Sequence, residues 1–226
     1  EMGILFKGGE HLEQTQSIDT VVVDKTGTVT HGKPVLTDVL LADGQEQEKF
    51  LALIGAAEKQ SEHPLAQAIV QGIQEKGIEL GQVQYFEAVP GYGIQSTVSG
   101  QGVLVGTRKL MEQYGIDVAA VMPQMESLES VGKTAMLAAI NGEYAGLVAV
   151  ADTIKETSEE AIKRLQKMGI RVIMMTGDNE RTAQAIGKQV GVDAVIAEVL
   201  PEGKADEVKK LQLEGKKVAM VGDGIN

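Results

Sequence analysis

Three short stretches gather acids, hydroxyls and glycines at spacings that suit chemistry. Asp24-Lys25-Thr26-Gly27-Thr28 sets a carboxylate, an ammonium and two hydroxyls around one glycine. Thr176-Gly177-Asp178-Asn179 and Gly222-Asp223-Gly224-Ile225-Asn226 each put an acid beside glycine again, and Lys204 supplies a further ammonium just after Pro201. Taken singly, each has an ordinary reading. An acid after a strand is a turn residue or a helix cap, Lys204 is a solvated helix residue, and Gly-Asp-Gly is a turn. Taken together they are carboxylates, a hydroxyl and ammonium groups around a glycine-lined crevice. Such a set holds Mg²⁺ and a phosphoryl group while one carboxylate attacks. The joint reading stands only if the fold brings the stretches to one place.

The elements around them satisfy that condition. Thr20-Val21-Val22-Val23, Ile170–Met175 and Lys217–Val221 are apolar runs that read as buried strands, each ending at one of the three stretches. Between them, Thr157-Ser158-Glu159-Glu160 has the composition of a capping box opening a helix to Met168, stopped by Gly169. A helix over Glu180–Val190 stops at Gly191, Ala194–Val199 reads as a strand, and Pro201–Leu213 as a helix. Strands alternating with helices imply a parallel sheet, and loops at the C-terminal ends of parallel strands share one edge. No comparable helix follows the Asp24 strand directly. It therefore belongs to the late sheet, with the middle of the chain inserted.

That middle has a different character. Gln45–Gln60 reads as a helix with Phe50, Leu51, Ile54 and Ala57 on one face, and Pro64 opens a second helix over Leu65–Glu75. Hairpins are expected at Gln95–Val105 and around Asn141-Gly142, with helices over Arg108–Tyr114 and near Gln124–Ser130. The expectation is α/β overall: a discontinuous parallel-sheet domain, 1–33 with 148–226, and an inserted α+β domain with an antiparallel sheet, 34–147. Gly3-Ile4-Leu5-Phe6 reads as a small leading strand. The linkers at His31–Pro34 and Gly146–Asp152 are expected to form a two-strand hinge.

Composition narrows the function classes. With 226 residues and 43% hydrophobic content the chain is long enough for two cores. A net charge of −11 and 3% aromatic content argue against nucleic acid as a partner. They leave room for a nucleotide carried with Mg²⁺, whose ligands are carboxylates. The absence of Cys excludes disulfides and thiolate metal sites. No apolar run approaches a membrane span, so the chain itself is expected to be soluble.

The three stretches also carry a resemblance. Asp24-Lys25-Thr26-Gly27-Thr28-Val29-Thr30 is similar to the phosphorylation motif of P-type ATPases, within the haloacid-dehalogenase fold group. Thr176-Gly177-Asp178-Asn179 and Gly222-Asp223-Gly224-Ile225-Asn226 resemble two further motifs of that family, in the same order. The resemblance implies a haloacid-dehalogenase-like sheet with ATP and Mg²⁺ as cofactors. It implies that Asp24 takes the γ-phosphoryl group of ATP as an aspartyl phosphate. Asp24, Asp223 and the Thr26 carbonyl would hold Mg²⁺, Thr176 and Lys204 would grip the phosphoryl oxygens, and Gly177, Asp178 and Asn226 would support the site. Phosphatases of this fold group carry an acid two residues after the nucleophile. Thr26 stands there instead, which suits a phosphoenzyme that persists.

The inserted block resembles the heavy-metal branch of the same family. Glu58 and Ser61-Glu62-His63-Pro64-Leu65 are similar to its His-Pro motif, and Gly91-Tyr92-Gly93-Ile94 to its glycine pair. The resemblance implies that Glu58 and His63 contact the adenine end of ATP, that Gly91 and Gly93 admit the nucleotide against the sheet, and that Gly106 belongs to the same nucleotide site. Thr107 departs from the asparagine usual after that last glycine. The implied whole is the cytosolic ATP-binding and phosphorylation region of a pump exporting Cu(I) or another heavy-metal ion. Its membrane and actuator domains, and the transported ion, would lie elsewhere. Hinge closure would carry ATP from His63 to Asp24. Three alternatives stand beside it: a free-standing Mg²⁺-dependent phosphatase, a zinc or cadmium pump, and a nucleotide-binding module without chemistry.

Overall fold

The computed structural model describes residues 17–222. The expected strand at Gly3–Phe6 and the sites at Asp223 and Asn226 lie outside them. In chain order the elements are β1 (Thr20–Asp24), β2 (Val35–Leu41), α1 (Gln47–Glu58), α2 (Pro64–Glu75), β3 (Val83–Val89), β4 (Gly93–Val98), β5 (Gln101–Gly106), α3 (Arg108–Gln113), α4 (Met122–Ser130), β6 (Thr134–Ile140), β7 (Glu143–Ala151), α5 (Ser158–Lys167), β8 (Arg171–Met175), α6 (Glu180–Val190), β9 (Ala194–Ile196), α7 (Lys204–Leu213) and β10 (Val218–Val221). They divide into two compact units, residues up to Gly32 with those from Ile154, and Lys33–Thr153.

In the discontinuous unit the strand order is β10-β1-β8-β9, all parallel. β1 lies inside the sheet, and all of its residues are buried. Its side chains alternate between two cores. Val21 and Val23 pack with Ile162, Val172, Met174, Ile186 and Val190, while Val22 packs with Ile173, Met175, Val199 and Leu211. Covering both faces is why the run is apolar at consecutive positions. Each buried valine contributes roughly 1.5–3 kcal/mol, so β1 is a fixed rail that ends in Asp24.

The inserted unit is an antiparallel sheet of order β2-β7-β6-β5-β4-β3. It too is covered on both faces. Helices α1 and α2 pack on Ile94, Val98, Val103, Val105, Ala138, Val148 and Val150. Leu110 and Met111 of α3 and Met125 of α4 pack on the alternate positions Leu104, Leu137, Ala139, Leu147 and Ala149.

Several expectations need correction. The inserted unit extends to Thr153 rather than ending at 147, and it begins at Lys33. The cause is β7, whose Val148, Ala149, Val150 and Ala151 pair with β2, and so Gly146–Ala151 is strand rather than linker. Its partner β2 begins just after the expected linker at His31–Pro34, in a stretch with no simple alternation because its register shifts between Leu36 and Asp38. β9 ends at Ile196 rather than Val199, where the backbone turns and Glu198 adopts φ 58°. The capping box does not form. Thr157 is itself helical (φ −89°, ψ −8°) and caps nothing, while the Ser158 hydroxyl donates to the Val29 carbonyl at 2.7 Å. Among the described residues no helix is long and apolar enough to cross a membrane.

Candidate active site

The register of the parallel sheet aligns the strand ends. Asp24 pairs with Met175 and Val23 with Val221, so the residues after β1, β8 and β10 leave the sheet along one edge. Asp24 is 1% exposed, at the last position of β1. Lys204, the first residue of α7, reaches it with Nζ 3.1 Å from Asp24 Oδ1. Gly222, the last described residue, abuts the same carboxylate: a Cβ on it would stand 3.0 Å from Asp24 Oδ2. Asp223 follows it in the chain.

The turn after Asp24 is a tight one over Lys25–Val29, with Gly27 in the left-handed region at φ 80°. Its carbonyls are held from outside. The Lys155 ammonium donates to the Gly27 carbonyl at 3.2 Å, and Thr30 donates to the Lys25 carbonyl through its backbone N–H at 3.0 Å and its hydroxyl at 3.2 Å. Thr26 is exposed. The Thr28 hydroxyl is buried with no hydrogen bond among the described residues.

Thr176 is buried beside Asp24, and its Oγ1 accepts from the Asp178 N–H at 3.1 Å. That leaves the hydroxyl proton for an incoming oxygen. Gly177 lies close to the Val199 carbonyl, 3.2 Å from where a Cβ would be. Asp178 has a partner that sequence reading missed. Its Oδ2 lies 2.5 Å from Lys25 Nζ, both side chains being 11% exposed. Asp178 therefore holds the residue after Asp24, and no local signal links two positions so far apart in sequence.

Among the described residues no group of three His, Cys, Asp or Glu side chains could hold a metal. The described oxygen donors, the Asp24 carboxylate and the Thr26 carbonyl, are of the hard type that Mg²⁺ prefers, and with Asp223 they make a fitting set.

The inserted unit carries a second cluster. Gly93 and Gly106 are register partners on β4 and β5. A Cβ on Gly93, whose φ is 143°, would fall 2.1 Å from the Val105 carbonyl oxygen, and one on Gly106 would fall 2.1 Å from that of Tyr92. The two strands thus touch backbone to backbone, with Gly91 in the preceding turn. Thr107 caps α3, accepting from the Leu110 N–H at 3.3 Å, which gives its hydroxyl a structural task. His63 caps α2, its Nδ1 accepting from the Leu65 N–H at 3.2 Å. Glu58, the last residue of α1, is 2% exposed. Burial pushes its carboxyl up from 4.5 to about 7. α1 starts at the other end of the sheet, where Glu46 and Lys49 line a shallow cavity of about 520 Å³ with Gln101, Asn141 and Glu143. Its C-terminus with Glu58 is therefore directed toward the Gly91–Gly93 and Gly106 end.

Comparison with known proteins gives the family of the chain. Residues 18–226 match the family described as haloacid dehalogenase-like hydrolase. The whole chain is 57% identical over 226 residues to a protein of Bacillus subtilis (strain 168) named copper-exporting P-type ATPase, of which it spans 28%. Its fold is similar to the structure of a zinc-transporting PIB-type ATPase in the E2.Pi state, with TM-score 0.63 and 37% identity, covering 98% of this chain and 36% of that one. It is also similar to the catalytic domain of the CPx-ATPase CopB-B, with TM-score 0.73 and 25% identity, covering 97% of this chain and 76% of that one.

Proposed function

The chain belongs to the haloacid dehalogenase-like hydrolase family, and from that premise we propose that it is the ATP-binding and phosphorylation region of a copper-exporting P-type ATPase. The observation that carries the reading is the contact of Lys204 Nζ with the buried Asp24 carboxylate at 3.1 Å, on the edge shared by Thr176 and Gly222. A carboxylate so placed is a nucleophile for phosphorus. One of its oxygens forms a bond to the γ-phosphorus of ATP as the bond to the β–γ bridging oxygen breaks, and ADP leaves with that electron pair. Lys204 sits where the charge of the transferring group must be balanced, and Thr176 offers its hydroxyl proton to a phosphoryl oxygen. Asp24, the Thr26 carbonyl and Asp223 would hold Mg²⁺, which when bound neutralises phosphate charge. Thr26 cannot act as a general base near neutral pH, so the aspartyl phosphate persists.

Glu58, His63, Gly91, Gly93 and Gly106 form the nucleotide site of the inserted unit in this reading. Whole-chain identity of 57% to a copper exporter, against 37% to the zinc transporter of known structure, supports copper as the cargo. The cargo site, the membrane domain and the actuator domain belong to the rest of the pump, with this region on the cytoplasmic face. The test is incubation with γ-labelled ATP and Mg²⁺. Acid-stable, hydroxylamine-labile label is expected on the chain and not on Asp24→Asn. Equal labelling of the two would sink the assignment.

A further inference from the structure

We infer that Glu58 meets the adenine ring as a neutral carboxylic acid, so that binding of nucleotide takes up a proton. The inference rests on the reading of the inserted unit as the ATP-binding part. Its basis is a carboxyl group 2% exposed whose Oε1 has no hydrogen-bond partner among the described residues. A buried carboxyl oxygen left unsatisfied costs stability, and the cost is larger for the ionised form. Such a group persists where a ligand completes it.

The surroundings leave the charge of Glu58 unbalanced. It sits at the end of α1 among Ala56, Ala57 and Ile54, all buried. The elements packed on α1 are α2, β3, β4 and β5. β4 and β5 carry no ionisable side chain. β3 carries Tyr85 and Glu87, both exposed and hydrogen-bonded to each other at 2.6 Å. α2 carries Glu75 at its end, with Lys76 beyond it and His63 at its cap, all exposed. Glu48 and Lys49 of α1 itself, and Lys59 and Glu62 just after it, are exposed too. Burial alone accounts for the raised pKa of Glu58, and no cation offsets it.

Adenine supplies what this group lacks. On either of its edges an acceptor ring nitrogen stands beside the N6 amino donor, and the side chain that matches this pair is the glutamine amide, one donor and one acceptor. A neutral carboxyl presents the same pair. A carboxylate has acceptors only and would turn a lone pair on the ring nitrogen. Glu58 therefore reads adenine in the way glutamine would, provided that it holds its proton.

The experiment is calorimetric titration of the chain with ATP and Mg²⁺. At pH 8, buffers of low and high ionisation enthalpy should report uptake of about one proton per nucleotide. Affinity should fall roughly thirtyfold between pH 6 and pH 8.5, following the ionisation of Glu58. The Glu58→Gln variant, checked as folded by its unfolding transition, should bind at pH 8.5 as the native chain does at pH 6, and should take up no proton. Proton uptake that persists in Glu58→Gln would trace to another group, His63 included, and overturn the inference. So would a folded Glu58→Gln that no longer binds at pH 6, since the site would then need a carboxylate. ATP binding independent of pH would overturn the inference and leave the ATP-binding reading intact. No binding at any pH would overturn both.

Discussion

Two ammonium groups serve two carboxylates at the sheet edge, and they do different work. Lys204 approaches Asp24 from α7, a 27% exposed side chain that a ligand can share. Lys25 and Asp178 are both shielded from solvent and lock the turn after β1 to the loop after β8. Removing one partner of a buried pair leaves the other charge uncompensated, which typically costs about 3–5 kcal/mol. Asp178→Ala is therefore expected to lower unfolding free energy by about 3 kcal/mol in a urea titration. The double change Lys25→Met with Asp178→Leu should recover much of that loss. Failure of the double change to recover stability would show that Asp178 works through other contacts. Glu58 gives a second prediction at this scale. Its folded pKa of about 7 lies above the ordinary 4.5, so the folded chain holds the proton more tightly than the unfolded one. The stability this confers is complete below pH 4.5 and is lost as pH rises through 7, a fall on the order of 3 kcal/mol by pH 8. Glu58→Gln should flatten that part of the profile; parallel denaturation curves for both proteins at pH 5 and pH 8 would contradict it.

At the level of elements, the glycines of the inserted sheet separate packing from binding. Gly93 on β4 and Gly106 on β5 have neighbouring carbonyl oxygens where a methyl group would go, whereas Gly102, on the same β5, has nothing nearer than 3.8 Å. Gly93→Ala must push the two strands apart, a loss of about 3 kcal/mol or more, while Gly102→Ala should stay within about 0.5 kcal/mol. Thermal unfolding of the two variants decides this, and equal melting temperatures would refute the close approach. The glycine pair thus has a reason in strand packing beside any role with a ligand. Sequence could not separate the two, because a Gly-x-Gly turn looks alike in either case. What sequence did make legible was the parallel sheet. Val21 to Val23 is apolar at every position because helices cover both faces, and that run pointed straight at Asp24. β2 escaped notice because Thr37 and Asp38 sit at a register shift, and the Thr157 cap was expected because composition alone does not reveal a helical backbone there. The Lys25–Asp178 pair and the proton on Glu58 depend on distance and burial, which no local pattern encodes.

At the scale of the whole chain, the two units differ in how they depend on connectivity. Every strand of the antiparallel sheet, β2 through β7, comes from Lys33–Thr153, and its two cores draw on residues of that span alone. The parallel sheet is different: β1 arrives from the far side of the insertion and lies between β10 and β8. Taking β1 away strips both of those strands of a partner and opens both cores at once, through Val21 and Val23 on one face and Val22 on the other. Residues 33–153 made alone should therefore unfold in one cooperative transition and bind ATP with an affinity within about twofold of the full chain. Residues 154–226 made alone should show no cooperative transition by circular dichroism, because a sheet cut at its inner strand cannot bury enough apolar surface. Supplying 17–32 as a peptide offers the missing strand and should restore a transition. A folded 154–226 without that peptide would show that β1 completes the site chemically but is not what holds the sheet together, and Asp24 would then ride on a strand the fold can spare.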